Sequence, residues 1–182
     1  MTIWFIAAAA AAVANPADDA RLGRMVALYD ELCLRTFPDD AAVDAMMAAK
    51  GATVLTPEEV RTTLNADPGR GWLLDDGDAK IQIMIEMPPY HACSVRWWTD
   101  DGFGDLSGYK VIVDTYKASG PAFERPQKQE MDVGEFHVSG ALEARGLPSG
   151  QTEALLLIEQ RAAGDTRVNV RFVHQIVEPG AH

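Results

Sequence analysis

The residues best suited to chemistry in this 182-residue sequence are two cysteines, Cys33 and Cys93, and a histidine two positions before the second one. On a strand, His91 and Cys93 would share a face, which allows a thiol–imidazole pair for nucleophilic catalysis. A nucleophile needs a free thiol, however, and the neighbouring residues do not resemble a cysteine-hydrolase signature. We therefore predict no catalytic residue and assign Cys33 and Cys93 to one disulfide, with two separate buried thiols as the alternative.

Metal and cofactor sites have weak support in the sequence. The four histidines include no pair at helical ligand spacing. His91, His137 and His174 fall on predicted strands, so their convergence on one face stays open. Two acidic clusters, 75–78 and 100–105, lack the alternating pattern of a calcium loop and are interpreted as polar turns. Since no glycine-rich phosphate loop is present either, we predict no metal and no cofactor.

Adjacent tryptophans point to a possible binding surface. Trp97 and Trp98 on one strand face opposite sides, so one indole enters the core and the other points outward. We expect the N-terminal helices to cover the outward indole; an exposed ring that stacks against a ligand is the alternative. Trp72 is expected in the core. The candidate binding surface comprises a turn and the strand after it: Pro88, Pro89, Tyr90, His91, Trp97 and Trp98.

The N-terminus has the pattern of an export signal. Residues 3–13 are an uncharged apolar run, and Ala12 and Ala14 place small residues at −3 and −1 of a cleavage site after residue 14. The segment before the run lacks Lys and Arg, unlike most signals. At ~1.5 Å per residue the run is too short to cross a ~30 Å hydrocarbon core, so we expect no stable membrane insertion after cleavage. An uncleaved helix is the alternative.

Export would place the mature chain, residues 15–182, in the periplasm or outside the cell, where thiols oxidise. A bridge from Cys33 to Cys93 would close a loop of about 60 residues, for which the chain-entropy model gives about 4 kcal/mol. The formal net charge of −11 excludes broad contact with nucleic acid or anionic membranes. A basic ligand or a basic protein partner remains open.

The sequence changes character once, near Gly71, and has no linker that would divide residues 15–182 into two domains. Residues 18–66 have helical periodicity, and the region 71–178 is rich in strands. The third helix has the clearest start, a capping box at Thr56-Pro57-Glu58-Glu59. The predicted helices run from Asp18 or Asp19 to about Arg35, from Asp39 or Asp40 to a stop at Gly51, and from Thr56 to about residue 65.

Alternating apolar residues after Gly71 predict strands joined by short turns, which favours antiparallel pairing. The sequence therefore predicts an α+β fold, with N-terminal helices packed on a mainly antiparallel β-sheet and one further helix between two strand groups. The predicted strands are 72–75, 79–87, 91–98, 129–143, 152–161 and 167–177, and the further helix spans 105–118.

A layout of this kind occurs in a known group of proteins. The run Cys33–Pro38 after an export signal, followed by Gly71-Trp72 and Cys93, resembles uncharacterised exported proteins of high-GC bacteria. The resemblance covers most of the mature chain and implies N-terminal helices followed by a strand-rich body. It implies no activity.

These observations lead to three functional hypotheses. The first is a non-enzymatic periplasmic or secreted binding or inhibitor-type module that presents a sheet face or a loop to an envelope protein or a small ligand. The second is an envelope-associated hydrolase that uses dispersed carboxylates and His91, His137 or His174. The third is a structural subunit of an envelope complex. None of the three involves nucleic acid.

Overall fold

The computed structural model describes residues 16–77, 79–100 and 102–181, which form four α-helices and one antiparallel sheet. The predicted signal segment, 1–14, lies outside this range. The helices are α1 (Pro16–Leu28), α2 (Asp40–Ala49), α3 (Pro57–Thr63) and α4 (Ser107–Lys117), and a π-helical segment (Tyr29–Thr36) continues α1. The strands are β1 (Thr53–Val54), β2 (Gly69–Asp76), β3 (Ala79–Glu86), β4 (Tyr90–Thr99), β5 (Gln127–Val133), β6 (Phe136–Gly146), β7 (Thr152–Ala162) and β8 (Val168–Val177).

Among the helices before the sheet, the end of the first and both ends of α2 lie at the predicted signals. The chain leaves the π-helical segment at Phe37-Pro38, where proline cannot continue a helix. Asp39 caps α2 by accepting a hydrogen bond from the Ala42 amide, and Gly51 follows that helix with a φ of 69°. The prediction that Asp18 or Asp19 caps the first helix is wrong, because α1 already includes Pro16, a residue suited to a first helical turn.

Helix α3 confirms the predicted capping box. The Glu59 amide donates to the Thr56 hydroxyl, and the Thr56 amide donates to Glu59 Oε2 at 2.7 Å. Pro57 occupies the first helical position, where a missing N–H has no cost. With only seven residues, α3 covers a small area of the sheet.

The sheet has eight strands in the order β1-β2-β3-β4-β8-β7-β6-β5. We call β1–β4 the first half-sheet and β5–β8 the second half-sheet. Each half is an antiparallel meander, and the last strand of one pairs with the last strand of the other. If β1–β4 are exchanged one for one with β5–β8, the same strand order results, read from the opposite edge of the sheet. The two half-sheets therefore have the same topology, although the sequence shows no internal repeat.

The prediction of a single strand over 129–143 is wrong. A hairpin occupies this region, with Val133 opposite Phe136 and a two-residue turn between β5 and β6. Gly134 has a φ of 61° at the first turn position, which suits the turn types that match strand twist. Apart from the two-residue strand β1, which was not predicted, the remaining elements agree with the predictions within a few residues, and the α+β fold class is confirmed.

We call the side of the sheet that carries Cys93, Val95 and Trp97 the inner face. The buried residues of α1, α2, α4 and the π-helical segment all join one apolar core on this face. Cys33 and Cys93 form the predicted disulfide, with their Cα atoms 5.3 Å apart. At the centre of the core, the Phe172 ring lies 4.7 Å from the Tyr109 ring and 5.4 Å from the Tyr29 ring, measured between centroids.

The opposite side is the outer face, and its two halves differ. On the first half-sheet, Val60 and Leu64 pack against Met84, which is 1% exposed. On the second half-sheet, Met131 and Val133 are about half exposed, and every residue of β5 is exposed. The described helices therefore cover the outer face only beneath α3.

Candidate interaction surface

The predicted binding residues lie in two separate places. Pro88 and Pro89 form the exposed turn before β4, and Tyr90 begins that strand. Trp98 lies eight residues farther along β4, or about 26 Å at ~3.3 Å per residue. The structure brings Pro88, Pro89, Tyr90 and His91 together at one end of β4 and leaves Trp98 at the other.

His91 belongs to the inner side of the molecule. Its Nε2 atom lies 3.0 Å from Asp40 Oδ1, and its ring packs edge-on against Phe37 with the centroids 4.5 Å apart. Arg70 also contacts the Asp40 carboxylate, with 3.4 Å between Nη2 and Oδ2. These contacts anchor the start of α2 to the sheet.

The adjacent tryptophans face opposite sides, as predicted. Trp97 is 7% exposed in the inner core, and Trp72 is also buried there. Trp98 is 46% exposed on the outer face, with the Arg167 guanidinium 5.4 Å from its ring centroid. This exposure shows that the expectation that helices cover the outward indole is wrong: α3 ends at Thr63, which accepts hydrogen bonds from Gln82 and Arg96.

A buried polar cluster, absent from the sequence predictions, lies on the inner face of the second half-sheet. Glu153 of β7 accepts hydrogen bonds from Tyr116 of α4 and from Arg145 of β6. His174 Nε2 lies 2.7 Å from Glu153 Oε1, and His174 Nδ1 lies 2.6 Å from the Cys33 carbonyl oxygen. The cluster thus joins the second half-sheet to the helical segment that carries the disulfide.

The electrostatics of this cluster keep Glu153 ionised. Burial alone would raise its pKa, but hydrogen bonds from His174, Arg145 and Tyr116 outweigh burial and lower the pKa to about 2. Burial and the hydrogen bond to Glu153 raise the pKa of Tyr116. Both His174 ring nitrogens have partners, and the Arg145 Nη1 atom donates to the carbonyl oxygens of Ser119 and Pro121. With its groups satisfied and largely buried, the cluster has the properties of a structural network.

The three strand histidines do not converge. His91 and His174, on neighbouring strands of the inner face, both pack edge-on against the Phe37 ring, whereas His137 is exposed on β6, where Nδ1 is 2.9 Å from Asp132 Oδ1. Within 16–77, 79–100 and 102–181, no group of three His, Cys, Asp or Glu side chains is arranged to hold a metal ion. The same ranges contain no helix with the length and hydropathy of a membrane span.

The outer face of the second half-sheet contains a shallow apolar depression of about 200 Å³. Gly140 forms part of its base. A side chain has no room at this position, because a Cβ there would collide with the Leu157 backbone oxygen. Apolar side chains from three strands surround the glycine. They are Met131, Val138, Leu142, Leu156 and Ile158.

Two arginines lie beside this depression, at the centre of the outer face. Arg96 of β4 is directly opposite Arg171 of β8, and Arg171 is directly opposite Ile158 of β7. Arg96 is 8% exposed and donates to the Ser94 hydroxyl and the Thr63 carbonyl oxygen, both at 3.1 Å. Burial, together with the nearby Arg171 charge, lowers the pKa of Arg96 to about 9.

Sequence reasoning missed the arginine pair, although a signal was available. Both arginines interrupt apolar runs, in Val95-Arg96-Trp97 and Val170-Arg171-Phe172, at positions whose strand neighbours are buried. Only the β4–β8 register brings them together.

No protein-family model, curated protein or solved structure matches this chain.

Proposed function

We propose that this protein is an exported, non-enzymatic binding module that binds its partner through the outer face of the second half-sheet. One observation carries the proposal: none of the described helices covers the apolar outer surface of this half-sheet, whereas α4 packs on its inner face. Contiguous exposed apolar surface that borders polar groups is typical of interaction sites on soluble proteins.

The shape of the surface supports binding better than catalysis. The depression around Gly140 is apolar and shallow, and the charged group next to it in the described part of the outer face is Arg171, which is opposite Ile158. The buried ionic cluster at Glu153, whose pKa is lowered to about 2, is on the other face and is engaged in internal hydrogen bonds. Polar groups that converge on an open cleft, as a hydrolase requires, are not found on this surface.

Export is supported by the disulfide between Cys33 and Cys93, because such bonds persist mainly in oxidising compartments. A periplasmic or secreted location agrees with the signal pattern in residues 1–14. Expression in a bacterium, followed by cell fractionation and intact-mass measurement, tests this part. We expect a product that begins at Asn15 in the periplasm or medium. A cytoplasmic product that retains Met1 would contradict it.

The binding surface is tested by affinity capture from envelope extract, with captured proteins identified by mass spectrometry and captured lipids by extraction. We expect Met131→Glu, which puts a charge on the outer face, to abolish capture. The matched control is Val111→Glu, because Val111 is 67% exposed but lies on α4. Trp98→Ala tests the predicted aromatic contact separately. Equal capture by wild type and Met131→Glu would refute the proposed surface.

A further inference from the structure

Within the described part of the chain, Arg96 and Arg171 on the outer face form no ion pair with a carboxylate. Neither guanidinium lies within 4.0 Å of a carboxylate oxygen among the described residues. Arg96 bonds to Ser94 and Thr63, and Arg171 Nε bonds to Asn169 Oδ1 at 3.0 Å. Glu86 acts on Arg96 through space without forming an ion pair. In a chain with 27 acidic residues, this absence is unusual.

Opposed like charges on a sheet disfavour folding, and burial of an unpaired charge adds to the cost. Arg96 and Arg171 are directly opposite each other, and Arg96 is buried. An anion bound between the two guanidinium groups would remove both penalties. Arginine is suited to that role, because its planar donors match a carboxylate or phosphate in two-point contacts.

The strand register places the apolar depression next to the arginine pair, which indicates the chemistry of the rest of the ligand. One row across the outer face consists of Arg96, Arg171, Ile158, Gly140 and Gln129, each directly opposite the next. The row passes from the arginine pair into the apolar depression within three strand spacings, or about 14 Å. A ligand that fills both parts has an anionic head and an apolar tail.

We propose that the outer face binds a single-chain anionic amphiphile, with its head on Arg96 and Arg171 and its tail over Ile158 and Gly140. The proposal rests on the proposed function and names the ligand class for the same surface. A monomeric amphiphile fits better than a bilayer, because the net charge of −11 repels an extended anionic surface while two local arginines still attract one head group. Binding sites of this type are mostly apolar with a few orienting polar groups.

Isothermal titration of the purified, disulfide-bonded protein with decanoate, kept below its micellar concentration, tests the proposal. We expect saturable binding of decanoate, at least tenfold weaker binding of decanol, and no binding of acetate. Arg171→Gln should weaken decanoate binding at least tenfold. The control is Arg161→Gln, which removes the same charge from an exposed position on the inner face of β7.

A second variant tests the tail. Ile158→Ser should weaken decanoate binding while circular dichroism shows an unchanged fold, and amide chemical shifts should move near Ile158 and Arg171 in the wild type. No decanoate binding by wild type, or equal binding by wild type and Arg171→Gln, would overturn the ligand assignment. If Met131→Glu still abolished capture of an envelope protein, the proposed function would survive that failure. If Met131→Glu did not abolish capture, both the ligand assignment and the proposed function would fail.

Discussion

The two half-sheets have the same topology but different surroundings. The first half-sheet has the N-terminal helices on its inner face and α3 over part of its outer face, where Trp98 of β4 stays exposed. The second half-sheet has α4 on its inner face, a buried ionic cluster beneath that helix, and an open apolar outer face. A four-stranded meander of this kind is therefore compatible with either a closed or an open face, and the added helix α3 makes the difference.

The comparison separates stability from binding. The first half-sheet combines a disulfide with apolar packing, both of which stabilise the fold. The open face of the second half-sheet contributes less burial and remains available for a partner. Substitutions that probe each half should consequently have different effects, and four experiments test this division.

The largest effect is expected at the polar cluster of the second half-sheet. Glu153→Ala should lower the free energy of unfolding by about 3–5 kcal/mol, because it leaves the Arg145 charge buried without its partner. Urea denaturation provides the measurement. Glu143→Ala serves as a control, since its ion pair with Lys117 is more exposed and should contribute less than about 1 kcal/mol. Similar losses for the two variants would contradict a structural role for the cluster.

The second effect concerns the disulfide of the first half-sheet. Reduction of the bond between Cys33 and Cys93 should lower the free energy of unfolding by about 4 kcal/mol, because it releases a loop of 60 residues in the unfolded chain. Urea denaturation with and without a thiol reductant measures the difference. As a control, a Cys33→Ala, Cys93→Ala variant should show no response to reductant. Equal stability of the oxidised and reduced wild type would show that the bond does not stabilise the first half-sheet.

Two methionines, one in each half-sheet, allow the two halves of the outer face to be compared directly. Met84 in β3 is 1% exposed beneath α3, whereas Met131 in β5 is 47% exposed. We expect Met84→Ala to destabilise the protein by about 2 kcal/mol or more, because it leaves a cavity. Met131→Ala should change stability by no more than about 0.5 kcal/mol. Thermal or urea unfolding distinguishes these outcomes, and comparable losses would mean that the second half-sheet is covered in solution.

The last effect is a pH dependence. The pKa of Glu153 is about 2 in the folded protein and ordinarily 4.5, so its contribution is complete above pH 4.5 and is lost as pH falls towards 2. This single carboxylate gives a slope of at most about 1.4 kcal/mol per pH unit. Glu153→Gln should lack that part of the slope in stability measurements from pH 6 to pH 2. An unchanged slope would assign the acid sensitivity to other carboxylates.

Local signals in the sequence predicted most of the secondary structure. The capping box at Thr56, the stop at Gly51 and the proline after Phe37 act within a few residues, so their effects can be inferred without tertiary structure. The β5–β6 hairpin was missed, because its turn has only Gly134 as a marker within one long alternating segment. Gly134-Glu135 between two alternating runs was the available signal.

The site was less predictable, because strand register determines it. The disulfide could be inferred from two cysteines and a predicted export signal, but the pairings of Arg96 with Arg171 and of Arg145 with Glu153 depend on which strands become neighbours. The position of Trp98 depended on the short length of α3, which the sequence gives only approximately. Surface composition follows from residue types, whereas the arrangement of that surface follows from the fold.

The central strand pair has a consequence for the folding kinetics. Every other ladder joins strands that are consecutive along the chain, but β4 and β8 bring Tyr90 next to Val177 and Thr99 next to Val168. Closing so long a loop has a large entropic cost before any contact is gained, and topologies with distant contacts fold slowly. We therefore expect the two meanders to form early and their union along β4 and β8 to limit the folding rate.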